Sequence, residues 1–175
     1  MILFLAVSSW VPAVLPIIGV FIGAFAAIAG GAFAQWFNRQ LERQSLAAAL
    51  AGEIQCILET TSWQDARRDI EQGKAAPVDE HPFPIFEANV AKIGLLPVDL
   101  AGKVAVFYSE VGGVFQDFRT LWTGLMQPTT VRNLDQIRAR LLQRMDAVED
   151  KAKGLLLELK KEAARPWHYY MQPTE

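Results

Sequence analysis

Polar and apolar positions divide the chain sharply. No charged residue occurs before Arg39, so the 17 basic and 19 acidic side chains all lie in residues 39–175. Residues 17–34 read IIGVFIGAFAAIAGGAFA, and Gln35, Trp36 and Phe37 extend the uncharged run. A helix over 17–37 holds about 21 residues and reaches ~31 Å. The hydrocarbon core of a bilayer is about 30 Å thick, so this segment is expected to span it. It is apolar on every face, unlike a helix that covers a soluble core with one side. Trp36 and Phe37 fall where an aromatic belt lies, and Arg39 and Arg43 follow as interface anchors.

Residues 1–16 are also apolar and contain Pro12 and Pro16. One straight helix over 2–37 would measure about 54 Å, well beyond the membrane's need. Pro16 suits a first helical turn, so the spanning helix is expected to start there. The stretch before it is expected along the interface or against a partner. Alone it reaches only about 22 Å as a helix, too short for a second span. Ala32-Phe33-Ala34 resembles a signal-peptidase site, but no basic region precedes the apolar run. That run is also about twice the usual 7–15 residues of a signal peptide. An uncleaved anchor is the expectation. Arg39 and Arg43 flank one end and no basic residue flanks the other. The N-terminus is therefore expected outside and the polar domain in the cytoplasm, with a bacterial inner membrane as the assumed setting.

Gly19, Gly23, Ala27 and Gly31 recur every four residues within this helix. The spacing forms a stripe on which a second helix can approach closely. Gly and Ala are common in membrane helices in any case, so the stripe names no partner.

Beyond residue 38 the pattern becomes amphipathic. Leu46, Leu50, Ile54, Ile57, Leu58 and Thr61 follow helical spacing, predicting a helix over 38–72 with Glu53, Gln55 and Glu59 on its wet side. Asp65 with Arg68, and Arg67 with Glu71, are surface pairs at neighbour spacing. Gly73 is expected to end the helix. Residues 73–84 carry three prolines and a glycine and read as a loop. Residues 85–95 predict a short helix with Ile85, Phe86, Val90, Ile93 and Leu96 as its apolar set. Pro97 and Asp99 then suit a new helix start.

The clearest pattern is over 98–125. Leu100, Val104, Phe107, Val111, Val114, Phe118, Leu121 and Leu125 alternate steps of four and three, the 3.5-residue seam of coiled-coil-like packing. Tyr108, Phe115 and Trp122 form a second row, widening the face to that of a bundle helix. Gly112-Gly113 interrupts the row, for close packing or a kink. A last helix over 131–165 keeps near-heptad spacing through Leu134, Ile137, Leu141, Met145, Val148, Ala152, Leu155 and Leu159. No alternating strand-like run occurs. The fold expected is all-α: residues 1–37 with a single transmembrane helix, then residues 38–175 as a cytoplasmic antiparallel bundle of about four helices.

Candidate chemistry adds little. His81 and His168 have no metal-ligand spacing to any Cys, His or Glu, so no metal is expected. Cys56, the sole cysteine, lies beside an apolar face and is expected buried and inert. Neither Gly-Gly pair has the lysine or spacing of a phosphate loop, so no cofactor is expected. The net charge of −2 and the dispersed basic residues of 131–165 give no nucleic-acid platform. Trp167, Tyr169 and Tyr170 form an aromatic tail that docks on the domain, the membrane interface or a partner. The function expected is that of a non-enzymatic scaffold or accessory subunit, with membrane lipid and a protein partner or a second copy of itself as its contacts. A self-assembling, membrane-perturbing effector is the alternative. An enzyme using scattered carboxylates is a third reading, dependent on a polar pocket.

Overall fold

The computed structural model describes residues 2–59, 61–74, 83–127 and 133–166. They are helical with no strand among them: α1 (Ile2–Glu59), α2 (Thr61–Glu71), α3 (Pro84–Asn89), a 3-10 helix (Val90–Leu95), α4 (Val98–Met126) and α5 (Leu134–Ala163). The chain divides into two compact units, Met1–Leu41 and Glu42–Glu175.

The first unit is helical from Ile2, so Pro16 does not begin the helix. Pro12 and Pro16 each remove one N–H donor from it. Ile18, Val20, Phe21, Ile22, Phe25, Ile28, Phe33 and Phe37 are exposed along it, and Trp36 is half-buried.

The second unit is built around one apolar cluster. From α1 come Leu46, Leu50 and Ile54, from α2 Trp63 and Ile70, and from α5 Leu141, Met145, Val148, Leu155 and Leu159. In α4, Leu100, Val104, Phe107, Val111, Val114, Phe118 and Leu121 are buried, while Leu125 is half-buried at the end of the row. Tyr108 is buried in the second row, with Phe115 and Trp122 half-buried. Gly112 and Gly113 do not break α4.

Local chemistry explains the boundaries. Gly73 takes φ +75, Lys74 N–H donates to Asp69 O at 2.7 Å, and Gly73 N–H donates to Ile70 O at 3.0 Å. This pair of bonds is a Schellman C-cap, which needs a residue free to be left-handed. Of the expected loop over 73–84, residues 75–82 lie outside the described residues, and Pro84 opens α3. The segment 85–95 is not one α-helix: it tightens to 3-10 geometry at Val90, which is exposed rather than core-facing. The last helix starts at Leu134 rather than 131, after Asn133 turns left-handed with φ 65.

Three sequence expectations fail on side-chain placement. Glu53 is buried rather than wet, only 6% exposed. Cys56 is exposed rather than buried. Val90 turns outward where the 3-10 helix changes the angular step between residues.

Candidate functional site

The first unit presents the most unusual surface. Val20, Phe21, Ile22, Phe25 and Ile28 are all exposed, Phe25 to 76%. Gly19, Gly23 and Gly31 have no other group within 4 Å of where a Cβ would stand, and Ala27 is exposed between them. The four lie along one inclined row of the helix, the geometry of a ridge of small residues. Phe33 stacks on Phe37 with ring centres 6.3 Å apart and lies 5.8 Å from Trp36, gathering the aromatic residues at one end. Arg39 is exposed. Arg43 is half-buried in the second unit, where its Nε lies 2.6 Å from Glu162 Oε1. Among the described residues, one helix is long and apolar enough to cross a membrane, and none of its most apolar stretch is buried. A helix from a soluble core would be mostly covered.

Three carboxylates are buried among the described residues of the second unit, and each joins elements distant in sequence. Glu53 on α1 accepts the N–H groups of Ile85 at 2.8 Å and Phe86 at 3.1 Å, and the phenol of Tyr108 at 2.6 Å. The residue before α3, Phe83, cannot cap it, so Glu53 supplies the missing acceptors from another helix. Phe86 stacks on Tyr108 with ring centres 3.9 Å apart, and Phe83 meets Tyr108 edge-on. Burial, then the hydrogen bond to Glu53 and its charge, push the Tyr108 phenol above the usual tyrosine range.

Asp117 on α4 receives Arg140 Nη2 at 2.8 Å and Arg144 Nη1 at 2.9 Å, both from α5. Arg144 also reaches the carbonyl of Gly113 at 3.4 Å. Glu162 on α5 meets Arg43, and Arg165 at 3.3 Å. Both oxygens of each carboxylate are therefore engaged, and what the three provide is directional bonding between helices. Sequence reasoning missed all three, although the signal was present. Leu46, Leu50, Glu53 and Ile57 step by four, three and four, placing Glu53 within the apolar stripe. Asp117 follows Val114 by three, and Glu162 follows Leu159 by three.

The surface of α4 and α5 carries a groove of about 470 Å³ lined by Gly102, Val106, Phe107, Gly154 and Leu155, with Lys103, Lys151 and Glu158 beside them. Its walls are mostly apolar, and Lys103 is paired to Glu158 at 2.6 Å. Lys151 is paired to Glu110. Among the described residues no group of three His, Cys, Asp or Glu side chains could hold a metal ion. The candidate tail residues Trp167, Tyr169 and Tyr170, and both histidines, lie outside the described residues. The residues selected from sequence thus fall into separate places: the glycine stripe in the first unit, and the α4 seam inside the second.

No family model matches the chain, and no curated protein or solved structure matches it either.

Proposed function

We propose that the protein is a non-enzymatic, single-pass membrane scaffold or accessory subunit. Its spanning helix, residues 17–37, packs against another helix along Gly19, Gly23, Ala27 and Gly31. Its helical domain lies on the cytoplasmic side and binds a protein partner or a second copy. The observation that carries the reading is the exposure of Val20, Phe21, Ile22, Phe25 and Ile28 on a segment with no charge at all. In water those side chains would form an apolar surface far larger than a soluble monomer exposes. In lipid they need no cover, and the small residues between them give a second helix its closest approach.

The domain reads as an antiparallel bundle. Contacts ascend α4 through Lys103, Glu110 and Asp117 while descending α5 through Glu158, Lys151 and Arg144. Arg43 meets Glu162 and Arg67 meets Asp146, so α1 and α2 run against α5 in the same sense. Such a bundle offers rigid, charged helix faces outward, the surface of a binding module rather than of a pocket.

Native mass spectrometry of the full-length protein, purified gently from its own host, tests the reading. A single mass at a multiple of 19.5 kDa supports self-assembly. A fixed ratio with other chains supports the accessory subunit. A monomer without lipid or partner in every detergent counts against both. Cys56 is exposed, so it reports topology: a membrane-impermeant thiol reagent should label it only after the cell is opened. Labelling of intact cells would reverse the orientation.

A further inference from the structure

One face of the α4–α5 pair is open. Gly102, Val106, Ser109 and Gly113 step by four, three and four along α4, half a turn away from the buried Val104 and Val111. Gly102, Val106 and Ser109 are exposed, Val106 to 53%. On α5, Ala147 and Gly154 are exposed beside them. The groove of about 470 Å³ is followed along this face by a hollow of about 340 Å³, lined by Ser109, Gly113 and Ala147 among others. Glycine inside a helix is less stable than alanine. Yet among the described residues nothing lies within 4 Å of a Cβ placed at Gly102 or Gly154. Packing within the chain calls for neither glycine. A side chain arriving from outside would use the space.

Two ion pairs cross the face as rungs. Lys103 on α4 meets Glu158 on α5 at 2.6 Å, and one heptad further along Glu110 on α4 meets Lys151 on α5. All four side chains are partly exposed. A second copy turned over about a two-fold axis along the groove brings its α5 above the first copy's α4, level for level. Lys103 of each copy then faces Glu158 of the other, and Glu110 faces Lys151. Val106, set between the rungs, comes over Gly154 of the other copy and enters the space its missing Cβ leaves. The face is thus complementary to itself in charge and in shape, as an isologous contact requires.

We infer that a second copy of this chain docks on the open α4–α5 face about that axis, so that the two helix pairs form a four-helix arrangement. The rungs lose water as they come together, which offsets much of their attraction. The contact is therefore weak alone. It forms between copies already joined along Gly19, Gly23, Ala27 and Gly31, where the effective concentration reaches the millimolar range. To that extent it rests on the proposed pairing of residues 17–37.

The test uses the full chain in detergent, with Cys56→Ser throughout. Val106→Cys on one copy and Gly154→Cys on another are co-expressed and oxidised gently. Two cysteines join only when their Cα atoms come within about 7 Å. Expected is a disulfide from position 106 of one copy to position 154 of the other, in excess over either link between like positions. A charge-reversed chain carries Lys103→Glu, Glu110→Lys, Lys151→Glu and Glu158→Lys, which keeps both rungs within the copy. A reversed copy beside an unreversed one meets like charges at all four places, and the yield of the link should fall about tenfold. Two reversed copies should restore it. Equal yields in the three pairings overturn the inference, and so does a dominant link from 106 to 106, which places the axis elsewhere. Native mass spectrometry of the same samples separates the causes. Copies that assemble without the 106–154 link overturn the groove contact and leave the pairing of residues 17–37 standing. Copies that stay monomeric throughout remove both.

Discussion

Tyr108 gives its phenolic hydrogen to Glu53 at 2.6 Å, across 55 residues of chain. The same carboxylate caps α3 through Ile85 and Phe86, so one acid on α1 holds both the short helix and the second aromatic row of α4. Removing it leaves two N–H groups and a hydroxyl buried without acceptors. Each such group costs about 1–3 kcal/mol. Glu53→Ala is expected to destabilise the second unit by about 4 kcal/mol on that basis. Tyr108→Phe should cost about 1 kcal/mol, since Glu53 keeps its two backbone donors. Urea titration of the full chain in detergent, followed by circular dichroism, measures both. Equal effects from the two substitutions would mean that the cap on α3 contributes nothing.

The same bond sets an alkaline limit. Burial and Glu53 hold the Tyr108 phenol above the ordinary value of about 10 in the folded protein. The unfolded phenol ionises near 10 while the folded one does not, so above that pH the unfolded state binds fewer protons. Stability from this group is complete below about pH 10 and falls by about 1.4 kcal/mol per pH unit above it, until the folded phenol itself ionises. Stability measured against pH for the parent and for Tyr108→Phe isolates the effect. The difference between the two should shrink from pH 10 upward, and parallel curves would contradict the assignment.

Two glycines should respond oppositely to alanine. Gly73 sits at φ +75, with Arg138 Nη2 3.1 Å from an added Cβ. Gly73→Ala is expected to cost about 1–2 kcal/mol through the left-handed backbone. Gly112 lies inside α4 with nothing within 4 Å, so Gly112→Ala should stabilise by up to about 1 kcal/mol through helix propensity. Thermal melts of the two variants against the parent check the signs.

Helix content was legible because its signals are local. The 3.5-residue rhythm from Leu100 to Leu121 depends only on neighbours along one helix, and so does the left-handed stop at Gly73. Glu53 was assigned to the wet side by its charge, although its angular position lies on the Leu46–Leu50 stripe. Its place depends on acceptors that α3 lacks and donors that only the fold brings near. Cys56 illustrates the converse. It sits beside Ile57, yet the helix turns it outward, and residue type gave no warning. Pro16 was expected to open a helix that in fact begins at Ile2, since a proline inside a helix costs stability without having to end it.

The glycine row is the feature on which the proposed function turns. Gly19, Gly23 and Gly31 have nothing within 4 Å of an added Cβ. Leucine at those positions therefore meets no steric barrier inside one copy of the chain, and leucine favours helix. A helix packed against the row from outside would be displaced, because the close backbone approach is lost. Gly23→Leu with Gly31→Leu is thus expected to leave insertion and helix content unchanged while abolishing assembly. Native mass spectrometry reads the stoichiometry, and circular dichroism in the same detergent reads the fold. If the double variant keeps the parent's stoichiometry, the seam lies elsewhere, and the exposed faces of α4 and α5 become the surfaces to substitute next. If assembly is lost and expression of the parent, but not the variant, arrests growth, the assembled state perturbs the bilayer, and the effector reading replaces the scaffold.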